Sequence, residues 1–239
     1  MTNLKWTLNT EALRTALGAE RVVLVNDFAA QAWATDALTD ADFCVLSAAR
    51  PAAVGNRVVL GPGTGLGVAA LVDAGDAGWR VVTGEGGHAT LPTRTAEEQA
   101  VSAAIEAQFG HCSAERVLSG PGLTALAQSL GYGAVAPATV SEWARAGDAR
   151  GEHVIRVFTE FLATVAADLA LTFAAAGGVY LAGGILPKLD NAFPADAFSE
   201  RFQDKGRLRE QLANVPVALV TCSNPALRGL ERMLELQGY

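Results

Sequence analysis

The sequence predicts an α/β fold, and three observations carry that prediction. Short apolar runs at 22–25, 58–60, 179–182 and 215–220 suit strands buried on both faces. Helical stretches alternate with these runs and carry their own start and stop signals. Between them lie two glycine-dense loops, Gly61-Pro-Gly-Thr-Gly-Leu-Gly67 and Gly84-Glu-Gly-Gly-His88. Glycine at that density costs conformational entropy, so it needs a reason. Close approach of a ligand to the main chain is one.

The elements follow in order. Asn9 or Thr10 caps a short helix through Leu13 and Leu17 that Gly18 ends. The run Val22 to Val25 reads as a strand with Asn26 and Asp27 at its carboxyl end, where ligands gather in open α/β sheets. A helix then spans Phe28 to Ala34. Val58 to Leu60, Leu66 to Val72 and Trp79 to Val82, with a Gly/Asp turn at 73–78, read as hairpin-connected strands. Thr95 and Glu98 form a capping box that opens a helix to Phe109, with Gly110 as its stop. Ser119 before Pro121 starts another helix, ended near Gly131. Glu152 to Ala176 is a long buried helix, followed by the strand Val179 to Ala182 and Gly183-Gly184. Val215 to Val220 is a late strand and Leu227 to Leu236 a closing helix.

Composition narrows the function classes. The 239 residues are 50% hydrophobic and 18% charged, with mean hydropathy +0.23, as in a globular chain of one large or two small domains. A net charge of −7 argues against nucleic acid or an anionic membrane as partner. The apolar run Phe161 to Ala176 contains Asp168 and falls short of a membrane span. Cys44, Cys112 and Cys222 lie far apart without a Cys-x-x-Cys pair, which reads as reduced thiols in a cytosolic protein. No signal peptide is visible in the polar N-terminus, so a cytoplasmic location is expected.

The loops suggest chemistry. The first carries Thr64 and no cation, as a phosphate clamp made of backbone N–H groups does. The second carries Glu85 and His88, which bond hydroxyl groups. Together they point to an enzyme joining a phosphate donor to a polyhydroxylated acceptor. Each residue also has a plainer reading. Asp27 could cap the following helix with Asn26 as its turn partner, Glu115 could be a solvated neighbour of Arg116, and Gly183-Gly184 could be an empty helix turn. His111 and His153 lack the loop setting that singles out His88. The P-loop pattern is absent, since Lys5, Lys188 and Lys205 lie in no such loop. Gly65-x-Gly67-x-x-Ala70 with Glu85 nearly matches the dinucleotide fingerprint, which leaves an NAD-dependent dehydrogenase as an alternative. That fingerprint must open a helix, whereas Val68 to Val72 runs straight into a turn.

Five motifs occur in the order seen in bacterial glucokinases, of the hexokinase-like branch of the actin/sugar-kinase superfamily. They are Leu24-Val-Asn26-Asp27-Phe28, Gly63-Thr-Gly-Leu-Gly67-Val, Gly84-Glu-Gly-Gly-His88, Gly110-His-Cys-Ser-Ala-Glu-Arg-Val-Leu-Ser-Gly120-Pro-Gly and Leu181-Ala-Gly-Gly-Ile185-Leu-Pro187. The resemblance extends from Met1-Thr-Asn-x-x-Trp6 to the final helix. The repressor–kinase relatives resemble the chain less, because their cysteine-rich zinc motif has no counterpart here. The resemblance implies an actin-like, ribonuclease H-like architecture and ATP-dependent phosphorylation of glucose to glucose 6-phosphate with Mg2+. It implies that Asn26, Asp27, Glu85, His88 and Glu115 bind glucose hydroxyls and that Asp27 is the general base. It further implies that Gly63, Thr64 and Gly65 form a phosphate loop and Gly183 and Gly184 an adenosine loop.

The chain departs from the family in one respect. The family opens with a strand hairpin bearing Asp-x-Gly-Gly-Thr, a first phosphate loop, and this sequence contains no such motif. Met1 aligns with the interior of the small domain, as expected of a glucokinase begun at an internal methionine or of a true fragment. The expected division is a remnant small domain at 1–37 joined by the helix 228–239, and a large α/β domain at 38–227. A catalytically impaired sugar-binding fragment is therefore the alternative reading. The sequence leaves a homodimer open.

Overall fold

The computed structural model describes residues 8–51 and 54–237. The motif at 1–6 and the outer limits of the expected small domain lie outside these residues. Helices α1 (Thr10–Leu17) and α2 (Asp27–Ala34) precede strand β1 (Phe43–Val45). An antiparallel meander follows, β2 (Arg57–Pro62), β3 (Leu66–Asp73) and β4 (Trp79–Gly84). Then come α3 (Ala96–Phe109), α4 (Ala114–Val117), α5 (Gly120–Ser129), α6 (Pro137–Arg145) and α7 (Ala149–Thr172). The chain closes with β5 (Gly178–Leu181), α8 (Leu186–Leu189), α9 (Ala195–Gln203), α10 (Arg209–Ala213), β6 (Val217–Val220) and α11 (Pro225–Gln237).

The six strands form one sheet in the order β1-β6-β5-β2-β3-β4. Strands β2, β5 and β6 run parallel, and the outer pairs are antiparallel. Alternation along each strand divides the core. Val58, Leu60, Val179 and Leu181 face the layer built on α7, where Phe158, Phe161 and Leu162 are buried. Val59, Leu71 and Tyr180 face Trp33 of α2 and Met233 of α11. Helices α2 and α11 touch so closely that a Cβ on Gly229 would stand 1.7 Å from Ala30 O. Asp36, at the end of α2, binds Arg57 of β2 at 2.9 Å and Arg232 of α11 at 2.8 Å, which ties the helix pair to the sheet.

Local signals behave as the sequence predicts. Asn9 accepts from Glu11 and Ala12 N–H, and Gly18 ends α1 with φ +60°. Both halves of the Thr95–Glu98 capping box are formed. The buried Glu98 also receives the guanidinium of Arg201 from α9.

The run Val22 to Val25 does not form a strand. Residues 21–26 carry no regular secondary structure, with Val23 42% and Leu24 49% exposed, and no strand pairs with them among the described residues. A strand exists only through its ladder, so an isolated apolar run has nowhere to place its N–H and C=O groups except solvent.

Candidate active site

The predicted site residues gather around the tip of the β2–β3 hairpin. This tip lies at the carboxyl end of β2, beside the carboxyl end of the parallel strand β5. Ligands bind at that edge of α/β sheets because the chain leaves the strands there with free backbone groups.

Asn26 caps α2, its side-chain oxygen accepting from Phe28 N–H at 2.9 Å and Ala29 N–H at 3.1 Å. The cap is therefore Asn26 rather than Asp27. Asp27 occupies the first helical position, exposed, with Oδ1 3.0 Å from Phe28 N. The next side chain fixes where this carboxylate stands: the Phe28 ring lies against Gly61 and Gly67, the pair just behind the hairpin tip.

The loop 63–65 is braced on its other side by the α4–α5 junction. Gly63 N–H bonds Gly65 O at 2.8 Å, and Gly120 N–H bonds Gly63 O at 2.7 Å. Glu115 Oε2 accepts from Leu66 N–H at 2.8 Å. Thr64 is exposed at the tip. A cavity of about 110 Å³ beside it is lined by Thr64, Glu115, Arg116 and Ser119. That is smaller than the several hundred Å³ of an ordinary small-molecule site. Arg116 lies over the Phe109 ring, 4.0 Å from its centroid.

Glu85 and His88 follow β4 in a short 3-10 turn, Gly86–His88. Both are exposed, and Oε2 of Glu85 is 3.9 Å from His88 Nε2, beyond hydrogen-bond range. The segment is anchored at Gly87, where a Cβ would meet Leu66 O at 2.2 Å, and by Ala114 N–H to Ala89 O at 2.9 Å. Hence Glu85, His88, Glu115 and the hairpin tip share one framework. Gly183, with φ +87°, packs on Pro62, whose carbonyl oxygen would stand 2.4 Å from any Cβ there. Gly184 faces open space.

The structure gives several of these glycines a reason the sequence did not suggest. Gly65 is bare because Glu115 Oε2 would lie 2.4 Å from its Cβ, and Gly67 is bare because of Phe28. Packing within the protein accounts for them. Gly63, Gly84 and Gly184 meet no such neighbour and keep the ligand-approach reading. The roles of Phe28 and of Leu66 N–H escaped sequence reasoning, since both arise from contacts between distant segments.

The neighbourhood carries three carboxylates, Asp27, Glu85 and Glu115. Cys112, in the same segment as Glu115, is buried, and that burial holds its thiol above the ordinary value, so it is no nucleophile. The plain reading of His153 holds: its ring bridges Tyr132 at 2.8 Å and Glu97 at 2.7 Å, away from the hairpin tip. A larger cavity, about 650 Å³ between α6, α7 and the turn after α8, is lined by none of the predicted site residues. The dinucleotide fingerprint lies in the β2–β3 hairpin and opens no helix, which removes the dehydrogenase alternative. No helix among the described residues is long and apolar enough to cross a membrane.

Comparison with known proteins shows the family. A family model described as Glucokinase matches residues 1–237. A glucokinase of Nitrobacter hamburgensis is 42% identical over 241 residues, covering 98% of this chain and 75% of the relative. A glucokinase of Chromobacterium violaceum is 41% identical, covering 96% of this chain and 68% of its own. The crystal structure of a glucokinase from an Antarctic psychrotroph matches with a TM-score of 0.89 at 33% identity, covering 98% of this chain and 75% of that one.

Proposed function

The chain belongs to the glucokinase family, and from that premise we propose how its residues share the phosphorylation of glucose. The fold is that of the actin-like sugar kinases, and the family's activity is that of a sugar kinase. The donor is ATP. In our reading Asn26, Asp27, Glu85, His88 and Glu115 hold the sugar, Asp27 takes the proton of the reacting hydroxyl, Gly63 to Gly65 receive the donor's phosphates, and Gly183-Gly184 border the adenosine.

The single observation that carries this reading is the seating of Phe28 against Gly61 and Gly67, which holds Asp27 beside the base of the phosphate loop. Phosphoryl transfer asks for positioning, charge neutralisation and one base near the nucleophile. Asn26 serves as the helix cap, so the Asp27 carboxylate is left for a substrate hydroxyl. Carboxylates accept hydroxyl protons, His88 donates or accepts, and the Asn26 amide, its oxygen taken by the cap, donates, a set able to read the stereochemistry of a sugar. The N–H groups of Thr64 and Gly65 make neither of the loop's two bracing bonds and are the donors we assign to phosphate.

Three carboxylates beside a phosphate chain require a counter-charge, and Mg2+ entering with the nucleotide supplies it. No three His, Cys, Asp or Glu side chains among the described residues cluster to hold a metal of their own. In our reading the ion enters with the nucleotide, and no step here is derived through it. We further divide the chain into a small domain of residues 1–37 joined by the closing helix from 228 onward and a large domain at 38–227, and we place the protein in the cytoplasm.

Calorimetric titration with glucose tests the sugar side. Replacing Glu85 by Gln or His88 by Ala is expected to weaken glucose binding while leaving ATP binding within a few-fold. Each lost hydrogen bond to a charged group costs about 1.5–3 kcal/mol. Glucose affinity unchanged in both variants refutes the sugar assignment.

A further inference from the structure

Glu115 stands between two of the proposed subsites. Its Oε2 accepts the Leu66 N–H at 2.8 Å, at the point where the phosphate loop enters β3. The carboxylate packs so tightly on the loop that any side chain on Gly65 would collide with it. Its own backbone is held as well, since Ser119 Oγ donates to Glu115 O at 2.7 Å. The other brace, Gly120 N–H to Gly63 O, is made by main chain alone. Of these two ties across the loop, only the one at Leu66 runs through a side chain.

We infer that Glu115 is a positioning residue for the phosphate loop, and that sugar and nucleotide bind with positive synergy through it. A carboxylate offers about four acceptor positions, so a bond to Leu66 leaves room for a sugar hydroxyl on the same group. A hydrogen bond to an ionised acceptor is strong and fixes the donor's direction. A sugar that immobilises Glu115 thereby stiffens Leu66 and the N–H groups beside it. The nucleotide then meets a loop that needs less ordering, a coupling that requires no large movement. The coupling must be reciprocal, each ligand tightening the other by the same factor. The synergy rests on the sugar reading of Glu115; the positioning of the loop does not.

The test uses the 239-residue protein, with AMPPNP and Mg2+ as the nucleotide probe. Without glucose, Glu115→Ala is expected to weaken AMPPNP binding about tenfold and to speed exchange of the Leu66 amide about tenfold, as expected for loss of one charged hydrogen bond. Saturating glucose should tighten AMPPNP several-fold in the parent and leave Glu115→Ala unchanged. A group that only touches sugar would leave nucleotide affinity and Leu66 exchange at parental values, and that result overturns the inference. Loss of glucose affinity with normal Leu66 exchange keeps the sugar reading and overturns the positioning role. Accelerated exchange in a protein whose parent binds no glucose upholds the positioning role and overturns the sugar reading and the synergy. Should Glu115→Ala fail to fold, Glu115→Gln keeps the shape with a neutral acceptor. It is expected to raise Leu66 exchange a few-fold, and parental exchange there overturns the inference equally.

Discussion

The ring of Phe28 fills the space that a side chain on Gly67 would need: a Cβ there would stand 1.9 Å from Phe28 Cε2. One aromatic side chain thus joins the first turn of α2 to the strands just behind the hairpin tip. The carboxylate next to it, Asp27, inherits its place from that contact. Gly67→Ala must push the ring and with it α2. Overpacking of this kind costs about 1–3 kcal/mol. Chemical denaturation should show that loss, and the double variant Gly67→Ala with Phe28→Leu should recover part of it. Strict additivity of the two changes would show that the contact does not couple them.

Asp27 carries the sharpest chemical prediction. In the chain joined to a relative's segment bearing Asp-x-Gly-Gly-Thr, Asp27→Asn should lower kcat by about 10²–10⁴-fold, the usual cost of a lost general base. Glucose binding should remain measurable, because the amide keeps the shape and one acceptor oxygen. A kcat within a few-fold of the parent refutes the assignment.

The start of α7 gives a prediction about pH. Asp148 caps that helix, and the guanidinium of Arg150 beside it holds its carboxyl down at about 2, against an ordinary 3.8. A folded-state value below the unfolded one adds stability above the ordinary value, which is lost as pH falls from about 4 towards 2. Asp148→Ala should therefore lower Tm at pH 6, and its deficit relative to the parent should shrink steadily below pH 4. An equal deficit at pH 6 and pH 2.5 contradicts the pairing.

Much of the fold was legible because its signals are local. The Thr95–Glu98 box, the Asn9 cap and the hairpins at 57–84 each need only neighbouring residues. The short helices 114–117, 186–189 and 209–213 went unread, and so did the longer ones at 137–145 and 195–203, although Pro137 at the first turn of one is a recognisable start signal. The three-residue strand Phe43–Val45 gave no periodic pattern and exists through its pairing with β6. The run at 22–25 failed for the converse reason, having strand composition without a partner. In the site, the motifs picked out the residues, while the contacts that position them were illegible. Nothing in the sequence says that Glu115 reaches Leu66, 49 residues away, or that Gly67 is bare for Phe28.

The exposed run at 21–26 leads to the last prediction, that the 239-residue polypeptide on its own is a poor kinase. Phosphoryl transfer depends on donors and metal gripping the phosphates from both sides. These residues supply the side built on Thr64, and the sequence holds no Asp-x-Gly-Gly-Thr loop for the other. The polypeptide spans 75% of the Nitrobacter relative's length. Val23 and Leu24 are exposed, and Val23 lines an open groove together with Val25, Leu230, Met233 and Leu234. Unpaired backbone with exposed apolar side chains invites association with other chains. The expected outcome is concentration-dependent aggregation by light scattering, with glucose 6-phosphate formed far below ordinary enzyme turnover of about 1–10³ s⁻¹. Joining a relative's Asp-x-Gly-Gly-Thr segment to the polypeptide should raise solubility and turnover together. Ordinary turnover from the 239 residues alone, in a coupled assay with glucose, ATP and Mg2+, would show that one phosphate loop suffices.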